Sequence, residues 1–181
     1  MVDVDKDRML EYKAFAVAFS YPDDGMIKVF PELSSKKEDM ISEYDRLFRA
    51  SEIWLYGTEH LRMNEVQRAK SLADIMGFYR AFGLEPGTDR PDALSCELEF
   101  MHYLILKGSH ALESGDDADA KEKAAICFDA EQKFFTDHLY PSASKIAEAI
   151  MSKSSNEFYV NISEEMLEFL ESEKKILEGD E

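Results

Sequence analysis

One apolar helix constrains the fold of this chain more than any other segment. Over residues 94–106, Leu94, Leu98, Met101 and Ile105 recur at helical spacing, and the apolar residues between them widen this stripe until little polar face remains. A helix that is apolar on nearly every side is stable only when other helices surround it. We therefore predict that residues 94–106 form the central helix of a helical bundle.

Three ionisable side chains interrupt the apolar surface of this helix. They are Glu97, Glu99 and His102, and burying a charged group is costly unless it has a partner. Glu97 and Glu99 are two residues apart, so they cannot both face the core. We expect one of them to point into a groove and the other to reach a structural partner.

The rest of the chain also has the pattern of helices. No segment alternates apolar and polar residues for long enough to predict a strand. The chain has 181 residues, of which 45% are hydrophobic, and this is enough for one sizeable core. We predict an all-α fold in which residues 1–181 form a single domain, a bundle of about seven or eight helices.

Capping residues place several helix boundaries. Ser35-Lys36-Lys37-Glu38 and Asn64-Glu65-Val66-Gln67 both have the form of a capping box. Ser163 is placed to cap the last helix, and Asp92, which follows Pro91, is placed to cap the central one. Residues 50–63 have no clean period, and we interpret them as an irregular connection.

Composition excludes several classes of partner. The formal net charge of −17 argues against nucleic acid, because binding phosphates requires clustered Lys and Arg. The N-terminus lacks an apolar signal segment, and no apolar run approaches the ~20 residues needed to cross a bilayer. Cys96 and Cys127 have no C-x-x-C spacing, so we expect reduced thiols. These features predict a cytoplasmic protein with no direct membrane insertion.

Motifs for catalysis are sparse. Glu99 and His102 form one E-x-x-H spacing, whereas a ferritin-like metal site requires two such motifs and further glutamates, for which Glu97, Glu131 and Glu148 are candidates. The chain has no G-x-S-x-G elbow, no G-x-G-x-x-G loop and no Walker-type motif. We therefore expect no cofactor, no metal and no enzymatic activity. Two other classes of protein stay open at this point: a metal-binding helical-bundle enzyme and a generic helical adaptor that binds other proteins.

Aromatic and acidic residues together suggest a binding groove. Trp54, Tyr56, Tyr79 and Phe82 lie in or beside irregular segments, and Asp89, Asp92, Glu97 and Glu99 are near the central helix. An apolar groove with an acidic rim suits a peptide that is partly hydrophobic and partly basic. The structural alternative is that the aromatic residues belong to the core and the acidic residues are caps.

Six short stretches occur in an order that is typical of one protein family. They are FAVAFSYPD (residues 15–23), EYDRLF (43–48), LYGTE (55–59), FYRAFGL (78–84), RPDALSCELEFM (90–101) and FFTDHL (134–139). With these stretches, which span nearly the whole chain, the sequence resembles the TorD/DmsD/NarJ family of redox-enzyme maturation chaperones.

The resemblance implies a function and a set of site residues. It implies an all-helical cytoplasmic chaperone, not an enzyme, that binds the N-terminal leader, often a twin-arginine signal peptide, of a molybdopterin oxidoreductase subunit until the cofactor is inserted. The matched positions are Tyr56, Tyr79, Arg90, Pro91, Asp92, Glu97 and Glu99, to which the aromatic pattern adds Trp54. Ala93 stands where the family usually has histidine. The resemblance leaves a monomer and a domain-swapped dimer open.

Overall fold

A computed structural model describes residues 3–50, 53–87, 90–115 and 117–179. Over these residues the chain is all-α and contains nine α-helices, which confirms the predicted fold class. They are α1 (Asp3–Ala18), α2 (Asp24–Val29), α3 (Lys37–Tyr44), α4 (Gly57–His60), α5 (Glu65–Ala81), α6 (Leu94–Ser114), α7 (Ala118–Phe134), α8 (Tyr140–Lys153) and α9 (Glu157–Glu178). The short helix α4 lies in the segment that we predicted to be irregular.

Helix α6 is the centre of the bundle, as its apolar surface predicts. It packs against α1 on one side and against α7 on the other. Its residues Leu98, Met101 and Leu104 are completely buried in one hydrophobic core. The helix continues to Ser114, beyond the predicted end at residue 106.

A buried ion cluster joins the first helix to the last. Arg8 donates from Nε to Glu173 Oε1 at 2.7 Å and from Nη2 to Glu173 Oε2 at 2.9 Å. The same Nη2 donates to Glu131 Oε2 at 3.1 Å. All three residues are buried, so each charge depends on the others for compensation. The cluster ties α1, α7 and α9 together.

Helices α7 and α8 form one continuous helical segment. A π turn over Phe135–Leu139 joins them, and Pro141 follows it in the first turn of α8, as predicted. A π turn inserts one residue into the helical repeat. It thereby accommodates a proline, which lacks an N–H, without ending the helix.

One of the four predicted caps is correct and three are wrong. The capping box of Asn64 and Gln67 is present, but the serine box is absent because Pro31–Lys36 forms a 3₁₀ turn that leads directly into α3. Asn156, rather than Ser163, caps α9 and accepts a hydrogen bond from the N–H of Tyr159 at 3.2 Å. Ser163 is buried seven residues further along. The fourth prediction, the cap at Asp92, concerns the site described next.

Candidate functional site

The segment before α4 pairs with the segment before α6. The N–H of Gly57 donates to the carbonyl oxygen of Asp92 at 2.8 Å, and the N–H of Leu94 donates to the carbonyl oxygen of Leu55 at 2.9 Å. These bonds make an isolated antiparallel bridge between Tyr56 and Ala93. Two stretches that are far apart in sequence are thus held side by side.

Asp92 caps α4 rather than α6. Its side chain is completely buried, and its Oδ2 accepts hydrogen bonds from the N–H of Thr58 at 3.0 Å and from Thr58 Oγ1 at 2.7 Å. The N-cap of α6 is Ala93, which has no capping side chain. The predicted cap of the central helix is therefore wrong, because the bridge turns the Asp92 carboxylate toward the first turn of α4.

Arg90 neutralises the buried carboxylate of Asp92. Its Nε donates to Asp92 Oδ1 and its Nη2 donates to Asp92 Oδ2, both at 2.9 Å. Its Nη1 reaches Glu59 Oε1 at 3.2 Å, and its guanidinium carbon lies 4.6 Å from the centre of the Tyr56 ring. Burial would raise the pKa of Asp92, but the hydrogen bonds from Arg90 and Thr58 outweigh it and hold this pKa below its usual value.

Tyr79 fixes the loop from the side of α5. Its hydroxyl donates to the carbonyl oxygen of Pro91 at 2.8 Å, and its ring is buried against Phe100 and Phe134. Burial raises the pKa of this hydroxyl well above its usual value, so it remains a donor at physiological pH. Tyr79 therefore belongs to the core and holds Pro91 in place.

Glu97 and Glu99 lie in opposite environments, as their spacing predicts. Glu97 is 1% exposed, and its Oε2 has no hydrogen-bond partner among the described residues. Burial, together with the nearby charge of Asp92, raises the pKa of Glu97 to about 8. The side chain of Glu99 is 56% exposed and pairs with Lys13. Of these two residues, Glu99 presents its carboxylate to solvent and Glu97 does not.

Gly57 allows α4 to approach Glu97 and α8. A Cβ atom at Gly57 would lie 2.9 Å from both Cβ and Oγ of Ser142 and 3.7 Å from Glu97 Oε2. The hydroxyl of Ser142 donates to the carbonyl oxygen of His138 at 2.8 Å. Close packing thus requires a glycine immediately after Tyr56.

The E-x-x-H spacing does not assemble a metal site. His102 donates from Nδ1 to the carbonyl oxygen of Met9 at 2.8 Å, and Glu99 is occupied by Lys13. Glu131 belongs to the Arg8 cluster, and Glu148 is exposed on α8. The part of the chain that the structure describes contains no group of three or more His, Cys, Asp or Glu residues placed to hold a metal ion.

An aromatic cavity lies beside the bridge. Its volume is about 350 Å³, and its lining includes Tyr21, Tyr44, Phe48, Tyr56 and Ala93. Tyr56 is thus shared between the cavity and the guanidinium of Arg90. Trp54 is 44% exposed and stacks on Tyr56 with ring centres 6.1 Å apart.

The structure brings most of the predicted site residues together and adds others. Seven of them lie in one region: Trp54, Tyr56, Tyr79, Arg90, Pro91, Asp92 and Glu97. Glu99 faces away from this region, and Asp89 lies outside the described residues. Sequence reasoning missed the roles of Thr58, Glu59 and Arg68. The guanidinium of Arg68 donates to both carboxylate oxygens of Glu59 at 2.8 Å. Thr58 and Glu59 belong to the matched stretch LYGTE, which was the available signal.

Comparisons with known proteins identify the family of the chain. The family described as "Nitrate reductase delta subunit" matches residues 24–148, which is more than half of the chain and includes the whole site. Two curated relatives carry the names of chaperones. The chain is 28% identical over 105 residues to the "Perchlorate reductase assembly chaperone protein" of Dechloromonas aromatica (strain RCB) and 31% identical over 146 residues to the "Chlorate reductase assembly chaperone protein" of Ideonella dechloratans.

The family match and the Ideonella relative define the class to which the chain belongs. The chain belongs to the nitrate reductase delta subunit family, which confirms the resemblance seen in the sequence. The match to the Dechloromonas protein covers 56% of this chain and 44% of that protein, so the chain spans less than half of its length. The match to the Ideonella protein covers 71% of this chain and 72% of that protein. No solved structure is significantly similar to the chain. None of the helices in the described residues has the length and hydropathy of a transmembrane span.

Proposed function

We propose that this chain is a cytoplasmic maturation chaperone for the catalytic subunit of a molybdenum oxidoreductase. It binds the N-terminal leader of that subunit, often a twin-arginine leader, and holds the subunit until the cofactor is inserted. Residues 1–181 act as one chaperone domain without enzymatic activity. The observation that carries the proposal is the family match over residues 24–148, because this range contains both stretches that the bridge joins.

The chemistry of the site suits such a leader. The aromatic cavity of about 350 Å³ can accept apolar side chains from the hydrophobic part of a leader. The carboxylates of Asp92 and Glu59 lie beside Tyr56, and carboxylates with a nearby aromatic face are good partners for arginine. The net charge of −17 accelerates the encounter with a basic peptide, especially at low salt.

The names of the relatives support a reductase as the client. Both are described as assembly chaperones, one of a perchlorate reductase and one of a chlorate reductase. By analogy, the client of this chain is the catalytic subunit of a reductase of that general class.

Light scattering of the purified chain, alone and with the client, distinguishes a monomer from a domain-swapped dimer.

Calorimetry tests the leader-binding function directly. The full chain is titrated with a synthetic twin-arginine leader of a molybdenum oxidoreductase subunit, with a scrambled leader and with a leader in which both arginines are replaced by lysine. We expect saturable heat for the first peptide only. Absence of binding both to the leader and to the matching apo-subunit would contradict the proposal.

A further inference from the structure

We propose that Arg90 fills a guanidinium-binding site of its own chain and that an arginine of the client replaces it when the client binds. The guanidinium site consists of Tyr56, Thr58, Glu59 and Asp92. The identity of the incoming arginine rests on the proposed function, whereas the existence of the site rests on the geometry alone.

The four residues contact both the N–H edges and the planar face of the guanidinium group. Asp92 accepts two parallel hydrogen bonds at 2.9 Å, the bidentate arrangement that arginine makes and lysine does not. Tyr56 lies 4.6 Å from the guanidinium carbon and covers its planar face. Glu59 and the hydroxyl of Thr58 accept from two further N–H groups, each at 3.2 Å.

The acceptors are held by bonds that do not involve Arg90. Asp92 is fixed by the N–H and hydroxyl of Thr58, and Tyr56 is fixed by its bridge to Ala93. Both oxygens of Glu59 accept from Arg68. The guanidinium site therefore keeps its shape when Arg90 leaves, and a second guanidinium meets a preorganised site.

Arg90 is the exposed member of the pair. Its side chain is 31% exposed, whereas that of Asp92 is completely buried. Arg90 belongs to no helix, and its carboxylate partner is only two residues away. Displacing Arg90 by another arginine leaves the buried carboxylate paired throughout, so the exchange avoids the high cost of an isolated buried charge. Lysine cannot reproduce the two parallel bonds, so the exchange selects for arginine.

Self-occupancy has a measurable consequence for affinity. Only those molecules in which Arg90 has left the guanidinium site accept an incoming arginine. The apparent affinity is therefore the affinity of the open site multiplied by the fraction of molecules that are open. Removing the Arg90 side chain therefore strengthens the binding of an arginine-containing leader. If Arg90 instead contacted the leader or served only to support the loop, its removal would weaken binding.

The first test uses a small probe that does not depend on any client. Methylguanidinium at about 10 mM is added to the full-length Arg90→Ala variant, and the melting temperature is measured. We expect the melting temperature of the variant to rise by roughly 2 °C or more, and that of the original chain to stay unchanged. Methylammonium has the same charge but no planar group. It is added at the same concentration as a control and is expected to leave the melting temperature unchanged.

A second arginine provides the matched control. Arg46 also donates two hydrogen bonds to a carboxylate, that of Glu43 at 2.9 and 2.8 Å, but on the exposed side of its helix. Arg46→Ala is not expected to respond to methylguanidinium. If Arg90→Ala is too unstable to measure, Arg90→Gln removes the charge and the bidentate donor while retaining most of the side chain.

The second test measures leader affinity by calorimetry. We expect Arg90→Ala to bind the twin-arginine leader roughly 3- to 10-fold more tightly than the original chain, because the site is then open. Unchanged or weaker binding, with no response to methylguanidinium, overturns the guanidinium site but leaves the proposed function standing. Stabilisation by methylguanidinium without any leader binding supports the guanidinium site and contradicts the proposed function.

Discussion

The carboxylate of Asp92 accepts a hydrogen bond from the N–H of Thr58 at 3.0 Å, so a residue two positions before the start of α6 caps α4. The relationship spans 34 residues of sequence. It joins the two stretches, LYGTE and RPDALSCELEFM, that carry most of the family resemblance in this region. The acidic residue of the loop is consequently a structural group whose charge is already compensated by Arg90.

Replacement of Asp92 is expected to destabilise the whole domain. Asp92→Ala leaves the donors of Thr58 without their buried acceptor and leaves Arg90 without its partner, and we expect a loss of roughly 3–5 kcal/mol in the free energy of unfolding. Urea denaturation followed by circular dichroism measures this loss. Asp39→Asn, at an exposed position on α3, is the control and is expected to have almost no effect. A neutral Asp92→Ala variant would contradict the buried network.

Gly57 is expected to tolerate no side chain. Gly57→Ala places a Cβ atom 2.9 Å from Cβ and Oγ of Ser142, and relieving this overlap should cost roughly 1–3 kcal/mol of stability. Gly77→Ala is a matched control, because a Cβ atom there meets nothing within 4 Å and α5 should gain up to about 1 kcal/mol in helix propensity. Opposite signs for the two variants in thermal melts are the expected result.

A double mutant identifies the source of the overlap. Combining Gly57→Ala with Ser142→Gly removes the side chain that the new methyl group meets. The two changes should therefore be non-additive by roughly 1 kcal/mol or more. Additive effects would show that Gly57→Ala acts through the backbone of α4 and not through Ser142.

The contrast between the fold and the site shows what sequence reasoning can reach. The central helix was predictable because its burial follows from a local pattern of apolar residues, and the contrast between Glu97 and Glu99 followed from helical geometry alone. The partners of Asp92 were not predictable in this way. They depend on the bridge between Tyr56 and Ala93, a long-range contact without any local signal. For the same reason a residue with the form of a cap was assigned to the wrong helix.

The buried carboxyl of Glu97 is expected to make stability depend on pH. Its pKa is about 8 in the folded chain against an ordinary value of 4.5, so the folded protein retains a proton that the unfolded chain loses. The corresponding stabilisation is complete below about pH 4.5 and is lost as the pH rises toward 8. Urea denaturation at a series of pH values from 5 to about 8.5 measures this decline.

Two variants separate the contribution of Glu97 from those of other groups. Glu97→Gln cannot ionise and should flatten part of the decline. The remainder includes Glu131, whose pKa is raised to about 7 by burial and partly held down by Arg8. Glu99→Gln, at an exposed position of the same helix, controls for the replacement of a glutamate by glutamine. An identical slope in Glu97→Gln and in the original chain would show that Glu97 is ionised in the folded protein.

Trp54 is expected to contribute to leader binding more than to folding. It is 44% exposed and stacks on Tyr56 at the side of the guanidinium site, and exposed aromatic residues of this kind often dominate binding energy. Trp54→Ala should weaken binding of the twin-arginine leader roughly 10-fold or more, equivalent to about 1.4 kcal/mol, while the melting temperature changes little. Calorimetry and a thermal melt of the same sample measure both quantities.

Phe128→Ala provides the comparison for Trp54→Ala. Phe128 is 43% exposed and lies on α7 beside Cys127, which packs against Gly108. Gly108 lies eleven positions after Glu97 on α6, a rise of roughly 16 Å along the helix, so Phe128 lies far from the bridge and the aromatic cavity. Loss of exposed aromatic surface at Phe128 should therefore leave leader affinity unchanged. Equal losses of affinity in the two variants would place the leader on a different surface of the bundle.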